Sequence, residues 1–171
     1  SGEAVTYRQL NDRSNQLAQL FHAKGLRRGD HVALFMENRL PYFEIVWAAL
    51  RSGLYMTAIN RYLTTEEAGY ILDDCGARVL VTSAAMRTAE ELTEYAPDCE
   101  TYLSVDGGLP GYEDYQTAID AYPAENLAEE PAGALMLYSS GTTGFPKGAI
   151  HLQHDMIVEA DLYARQVLGQ M

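Results

Sequence analysis

The chain is poor in cysteine and in positive charge, and it has no long apolar run. Each shortage removes a class of function. Cys75 and Cys99 are its two cysteines, and neither stands in a CxxC or CxxH pattern. A zinc finger and a disulfide framework are therefore not indicated, and both thiols read as reduced and buried. Twelve basic side chains against 24 acidic ones give a net charge of -12. That balance opposes general attraction to nucleic acid or to an anionic membrane surface, so any phosphate site must be local. No apolar run reaches the roughly 18 residues that span a bilayer, and the N-terminus lacks the basic and apolar regions of a secretory signal. A cytoplasmic location without a transmembrane segment is the resulting expectation. Neither a solenoid-length repeat nor a low-complexity tract interrupts the 171 residues, and their 47% hydrophobic content suffices for one globular domain.

Short apolar runs rich in β-branched residues alternate with segments of helical period. The runs cover 31–36, 54–59, 77–82, 101–105 and 133–138. Between the first two, Phe43, Val46, Trp47 and Leu50 recur at helical spacing, with Pro41 near the start and Gly53 past the end. These residues predict a helix that buries Trp47 and its apolar neighbours against a sheet. Thr6 with Gln9 and Thr64 with Glu67 have capping-box spacing, and the two helices they open should close near Gly25 and Gly76. Near-continuous apolar strands separated by helices predict right-handed crossovers and a mainly parallel sheet. The fold class is α/β, a three-layer αβα Rossmann-like arrangement over residues 1–171. Pro123 to Gly133 reads as an acidic surface loop. A short strand over 149–152 is expected next, then a helix with Ile157, Ala160, Ala164, Val167 and Leu168 on one face.

The stretch "LMLYSSGTTGFPKGAI", Leu135 to Ile150, carries the chemistry. Ser139, Ser140, Gly141, Thr142, Thr143 and Gly144 combine glycines, which let a backbone approach an anion closely, with hydroxyls that donate to phosphate oxygens. Lys147 adds a mobile positive charge. A Walker A loop would place a Ser or Thr directly after its lysine, whereas Gly148 stands here. His151, His154 and Asp155 form an incomplete metal set. The acidic pairs Glu66–Glu67, Asp73–Asp74, Glu90–Glu91 and Glu129–Glu130 read as solvated faces, because adjacent residues on a helix point apart. The tyrosines are too scattered to form a stacking platform for single-stranded nucleic acid.

The order "YSSGTTGFPKG" resembles the phosphate loop "YTSGTTGxPKG" of the adenylate-forming superfamily, departing at Ser139. That superfamily includes acyl-CoA synthetases, aryl-CoA ligases, luciferases and peptide-synthetase adenylation domains. Upstream, "VTYRQL" (Val5 to Leu10) and "ALRSGLYMTAIN" (Ala49 to Asn60) are similar to two further motifs of the superfamily. The resemblance implies the first part of the N-terminal domain of an AMP-forming acyl-CoA synthetase. In such an enzyme a carboxylate attacks the α-phosphate of ATP, giving an acyl adenylate and pyrophosphate, and CoA then displaces AMP.

By that resemblance Ser139, Ser140, Gly141, Thr142, Thr143, Gly144 and Lys147 would hold the β- and γ-phosphates of ATP with Mg2+. The small-molecule carboxylate would be a fatty acid, as residues 57–83 suggest, or a benzoate-type aryl acid, as 144–156 suggest. Gln153 stands where many relatives have a histidine, and His154 follows one position later. The adenine pocket and the C-terminal domain with its adenylation lysine have no counterpart in the sequence. The fragment alone is expected to be inactive, and an apolar patch beside the loop to drive self-association. The alternative from another class is a non-catalytic α/β binding or assembly module.

Overall fold

The computed structural model describes residues 4–139 and 146–152. Helix α1 (Tyr7–Ala23) opens with Thr6, whose side chain accepts from the Gln9 amide while the Gln9 side chain accepts from the Thr6 amide. Thr64 and Glu67 open α3 (Thr65–Asp74) in the same way. Gly25 and Gly76 follow these helices with φ of 83° and 63°, a left-handed geometry that lets the chain leave sharply. Helix α2 (Leu40–Arg51) has Pro41 in its first turn, where a missing amide hydrogen costs nothing. Both capping boxes and all five apolar runs therefore became the elements that the sequence predicts.

Strands β1 (His31–Phe35), β2 (Tyr55–Ala58), β3 (Ala77–Thr82), β4 (Thr101–Ser104), β5 (Glu113–Asp114), β6 (Ala134–Ser139) and β7 (Lys147–Leu152) form one sheet. Its order is β5-β4-β3-β1-β2-β6-β7. Every pairing is parallel except β6 with β7. The chain steps from β1 to β2 on one side and then crosses to β3 on the other, so right-handed connections put α2 and α3 on opposite faces. Alternate side chains of β1 feed the two cores. Val32 and Leu34 pack under α1, α2 and α4 (Tyr115–Asp120), while Ala33 and Phe35 pack with α3 and a 3-10 helix over Arg87–Glu94. Among the described residues no helix is long and apolar enough to cross a membrane.

Helix α2 corrects the expectation for Trp47. Ile45, Ala48 and Ala49 are fully buried, whereas Phe43 and Trp47 are 56% and 47% exposed. The small side chains let the helix lie close to the strands. Gly133, just before β6, is pressed so near that an added Cβ would sit 2.9 Å from the Leu50 Cα atom. One flank of α2 is also committed to polar contacts. Glu44, 4% exposed, accepts from Arg13 Nε at 2.8 Å and from the Tyr115 hydroxyl at 3.0 Å. Of the four apolar residues at helical spacing, Phe43 and Trp47 thus face outward, while Val46 packs against the core beside Ile45, Ala48 and Ala49.

The segment before β6 is an acidic loop that is tied down over α1. Asn15 Nδ2 donates to the Ala124 carbonyl and to Asn126 Oδ1, both at 3.0 Å, and Gln19 Nε2 donates to the Glu125 carbonyl at 3.0 Å. Arg51 and Glu130 pair at 3.3 Å. The sequence reading missed α4, a helix of six residues too short to show a period. Its one local signal was Asp114, which accepts from the Thr117 amide at 2.8 Å as an N-cap.

Candidate functional site

A doubly wound sheet most often binds ligands outside the carboxyl ends of its strands, at the point where strand order reverses. That point lies between β1 and β3, and here an ion-pair cluster occupies its rim. The Ser83 hydroxyl donates to Glu37 Oε2 at 2.6 Å. Arg39 grips Asp106 at 2.7 and 2.9 Å, and Asp106 also accepts from the Ala84 amide at 3.2 Å. Burial pushes the Glu37 carboxyl up, but the Ser83 hydrogen bond, a backbone hydrogen bond and Arg39 together bring it below the ordinary value. The cluster contains two carboxylates, and its arginine is already paired with both. With two carboxylates to one cation, its balance of charge disfavours a phosphate.

The open position on the same edge of the sheet is the β6–β7 hairpin. Its register runs from Ala134 opposite Leu152 to Ser139 opposite Lys147. Directly opposed residues in an antiparallel pair share a face, so Ser139 and Lys147 project together from the face that carries α2. Both are exposed. The hairpin therefore brings together a hydroxyl and a cation at the mouth of the loop, an arrangement that fits a phosphate. Ser140, Gly141, Thr142, Thr143 and Gly144 lie outside the described residues. So do His154 and Asp155, while His151 is exposed on β7. Among the described residues no three His, Cys, Asp or Glu side chains are grouped to hold a metal ion.

Two motif residues that look chemical in the sequence have packing roles in the hairpin. Tyr138 lies directly opposite Gly148, and a Cβ on Gly148 would come within 2.9 Å of the Tyr138 ring. The glycine makes room for the ring, which lies across it. The Tyr138 hydroxyl donates to Asp74 Oδ2 at 2.6 Å, tying the end of β6 to the last turn of α3. Burial and that hydrogen bond push the Tyr138 phenol far above its ordinary value, so it stays a neutral donor. Asp74 also receives the Tyr70 hydroxyl at 3.4 Å. The sequence places Asp74 on a solvated helix end, and only the fold shows that it anchors the β6–β7 hairpin.

The remaining reactive groups are inert by environment. Burial pushes both the Cys75 and the Cys99 thiol up to about 11, which agrees with reduced, buried cysteines.

The class that the fold defines is a mostly parallel, doubly wound α/β sheet with an antiparallel hairpin appended beyond β2. The chain belongs to the AMP-binding enzyme family, whose model matches residues 1–169. It is 30% identical over 167 residues to a fatty acid–[acyl-carrier-protein] ligase of Streptomyces coeruleorubidus, covering 98% of this chain and 32% of the relative. It is 33% identical over 172 residues to a benzoate–CoA ligase of Thauera aromatica, covering 97% and 32% of the respective chains. An anthranilate CoA ligase solved with anthranoyl-AMP superposes with a TM-score of 0.84 at 28% identity, over 95% of this chain and 32% of that one. The chain thus spans about a third of the length of these relatives.

Proposed function

We propose that this chain is the opening part of a longer AMP-forming carboxylate–CoA ligase and contributes its ATP phosphate loop. The observation that carries the reading is the hairpin, which sets Ser139 opposite Lys147 on one face, at the two ends of the "SSGTTGFPK" run. In this reading the described pair and the intervening Ser140, Gly141, Thr142, Thr143 and Gly144 bind the β- and γ-phosphates. Their work is positioning and charge stabilisation as pyrophosphate departs from the α-phosphate under attack by the carboxylate. Mg2+ would enter with ATP, held by its phosphates and by residues beyond this chain. CoA would then take the acyl group from the adenylate.

Fatty acids are the first substrate class to test, and aryl acids the second. Support exists for each, since the similar proteins include a fatty acid ligase and a benzoate ligase. A non-catalytic module of the same fold is the competing reading from another class. The test is carboxylate-dependent ATP–pyrophosphate exchange by the longer protein with fatty and aromatic acids in parallel. Exchange with one class names the substrate. A folded protein that binds ATP but exchanges with no acid leaves the binding module standing.

A further inference from the structure

Strand β6 reaches further than the strand beside it. β2 covers Tyr55–Ala58, and its register with β6 ends where Thr57 stands opposite Met136. Leu137, Tyr138 and Ser139 continue beyond that pair, opposed only by Ala149, Gly148 and Lys147 of β7 among the described residues. This end of the hairpin therefore overhangs the sheet. A two-stranded ribbon without further support is marginal in water, so the angle of the overhang needs something to hold it. Ser139 and Lys147, the last opposed pair, stand at its tip.

Tyr138 ties the overhang to the body of the fold. Gly148 leaves room for its ring on the α3 face, and its hydroxyl donates to Asp74 Oδ2 at 2.6 Å. The acceptor stands in an unfavourable place. Asp74 is the last residue of α3, a helix with no basic residue in its last turn, and the carbonyl end of a helix disfavours a carboxylate. Among the described residues Asp74 forms no ion pair. Two phenols donate to it instead, Tyr138 and, at 3.4 Å, Tyr70. A side chain that breaks a local rule of helix design points to a requirement set elsewhere, and here the requirement is the tether.

We propose that Asp74 and Tyr138 are positioning residues: their hydrogen bond holds the overhang at one angle to the sheet and so fixes where Ser139 and Lys147 meet a phosphate. The inference rests on the reading of that pair as ATP ligands. Alternate residues of a strand face opposite ways, so Tyr138 and Gly148 lie on the α3 face while Ser139 and Lys147 lie on the other, and the tether acts without touching the anion. Without it the tip samples several angles, and only the fraction at the binding angle accepts ATP. The apparent affinity for ATP falls by that fraction, whereas saturating ATP gathers the population back and leaves turnover intact.

The experiment is ATP–pyrophosphate exchange by the longer protein, with the carboxylate that supports exchange in the unaltered protein. KM for ATP, KM for the carboxylate and kcat are measured for Tyr138→Phe, Asp74→Ala, Asp74→Asn and the double variant Tyr138→Phe/Asp74→Ala, with Lys147→Ala as reference. Thermal unfolding of each variant keeps the assay below its transition, so that lost stability does not pass for lost affinity. Tyr138→Phe and Asp74→Ala should each raise KM for ATP about 2- to 10-fold, the range one hydrogen bond supports, with kcat and KM for the carboxylate unchanged. The double variant should be no weaker than either single one. Asp74→Asn keeps an acceptor oxygen for the Tyr138 hydroxyl and should restore most of the affinity for ATP. An unchanged KM for ATP in Tyr138→Phe, an equal rise for both substrates, or Asp74→Asn as weak as Asp74→Ala would overturn the positioning role. Should Asp74→Ala unfold, Tyr138→Phe, which keeps the ring, decides alone. An impaired Lys147→Ala beside an unaffected Tyr138→Phe overturns this inference only, whereas intact exchange in Lys147→Ala overturns the phosphate reading and this inference with it.

Discussion

Two places on the carboxyl edge of this sheet could receive an anion, and their chemistry is opposite. Between β1 and β3, the Arg39 Nη1 group is shared by Glu37 and Asp106, two carboxylates to one cation. At the end of β6, Ser139 and Lys147 face each other, and Lys147 forms no ion pair with a carboxylate among the described residues. Backbone geometry alone would favour the first place, because a doubly wound sheet opens there. Side-chain charge reverses the preference. A fold provides crevices, and the residues at their rims decide which one is used.

The largest test of this contrast is Lys147→Ala in the longer protein. It should lower pyrophosphate exchange by about 10²–10³-fold, the usual cost of removing one preorganised charge-stabilising donor. Because Lys147 is exposed, thermal unfolding should barely move. A full loss of stability instead would mean that the lysine is structural.

Next in size is Gly148→Val, which forces a branched side chain into the Tyr138 ring. The expected loss is about 1–3 kcal/mol of stability, read from denaturant midpoints, as for other overpacked sites. Tyr138→Phe removes the hydrogen bond to Asp74 while keeping the ring. About 1 kcal/mol should be lost, and an Asp74→Ala background should show no further loss, since the partner is already gone.

Arg39→Ala probes the ion-pair cluster beside β1. Its side chain is 40% exposed and that of Asp106 is 30% exposed, so the ion pair should contribute less than about 1 kcal/mol. Exchange activity should be unaltered, in contrast to Lys147→Ala. An effect on the ATP requirement as large as that of Lys147→Ala would place the anion at the wrong end of the comparison.

The smallest effect concerns pH. Burial lowers the pKa of His31 below 6.5, with Asp30 opposing in part, and its Nδ1 has no hydrogen-bond partner. The unfolded chain therefore takes up this proton at higher pH than the folded one. The His31 contribution is complete above 6.5 and declines as pH falls toward the lower folded value. Stability curves at pH 7.5 and 5.5 should differ more for the native chain than for His31→Gln.

Much of the framework was legible because it is written in local signals. Thr6 with Gln9 and Thr64 with Glu67 set helix starts that need only residues three apart. The five apolar runs stood out because strands buried on both faces need no alternation. The family motif was legible as an ordered run from Tyr138 to Gly148. Trp47 was misplaced because periodicity reports which residues share a side and not which side meets the sheet. Spacing alone could not know that Gly133 and Ala49 would bring α2 so close.

By itself, then, the sequence determined the α/β class, the element boundaries at caps and glycines, and the family to which the loop belongs. Those properties depend on neighbours within a few residues or on an ordered motif. Tertiary structure alone decided that Asp74 anchors Tyr138, that Glu44 is buried between Arg13 and Tyr115, and that Arg39 pairs with Asp106. Each of these joins residues far apart in the chain, whose distances are fixed only when strand order and helix faces are fixed.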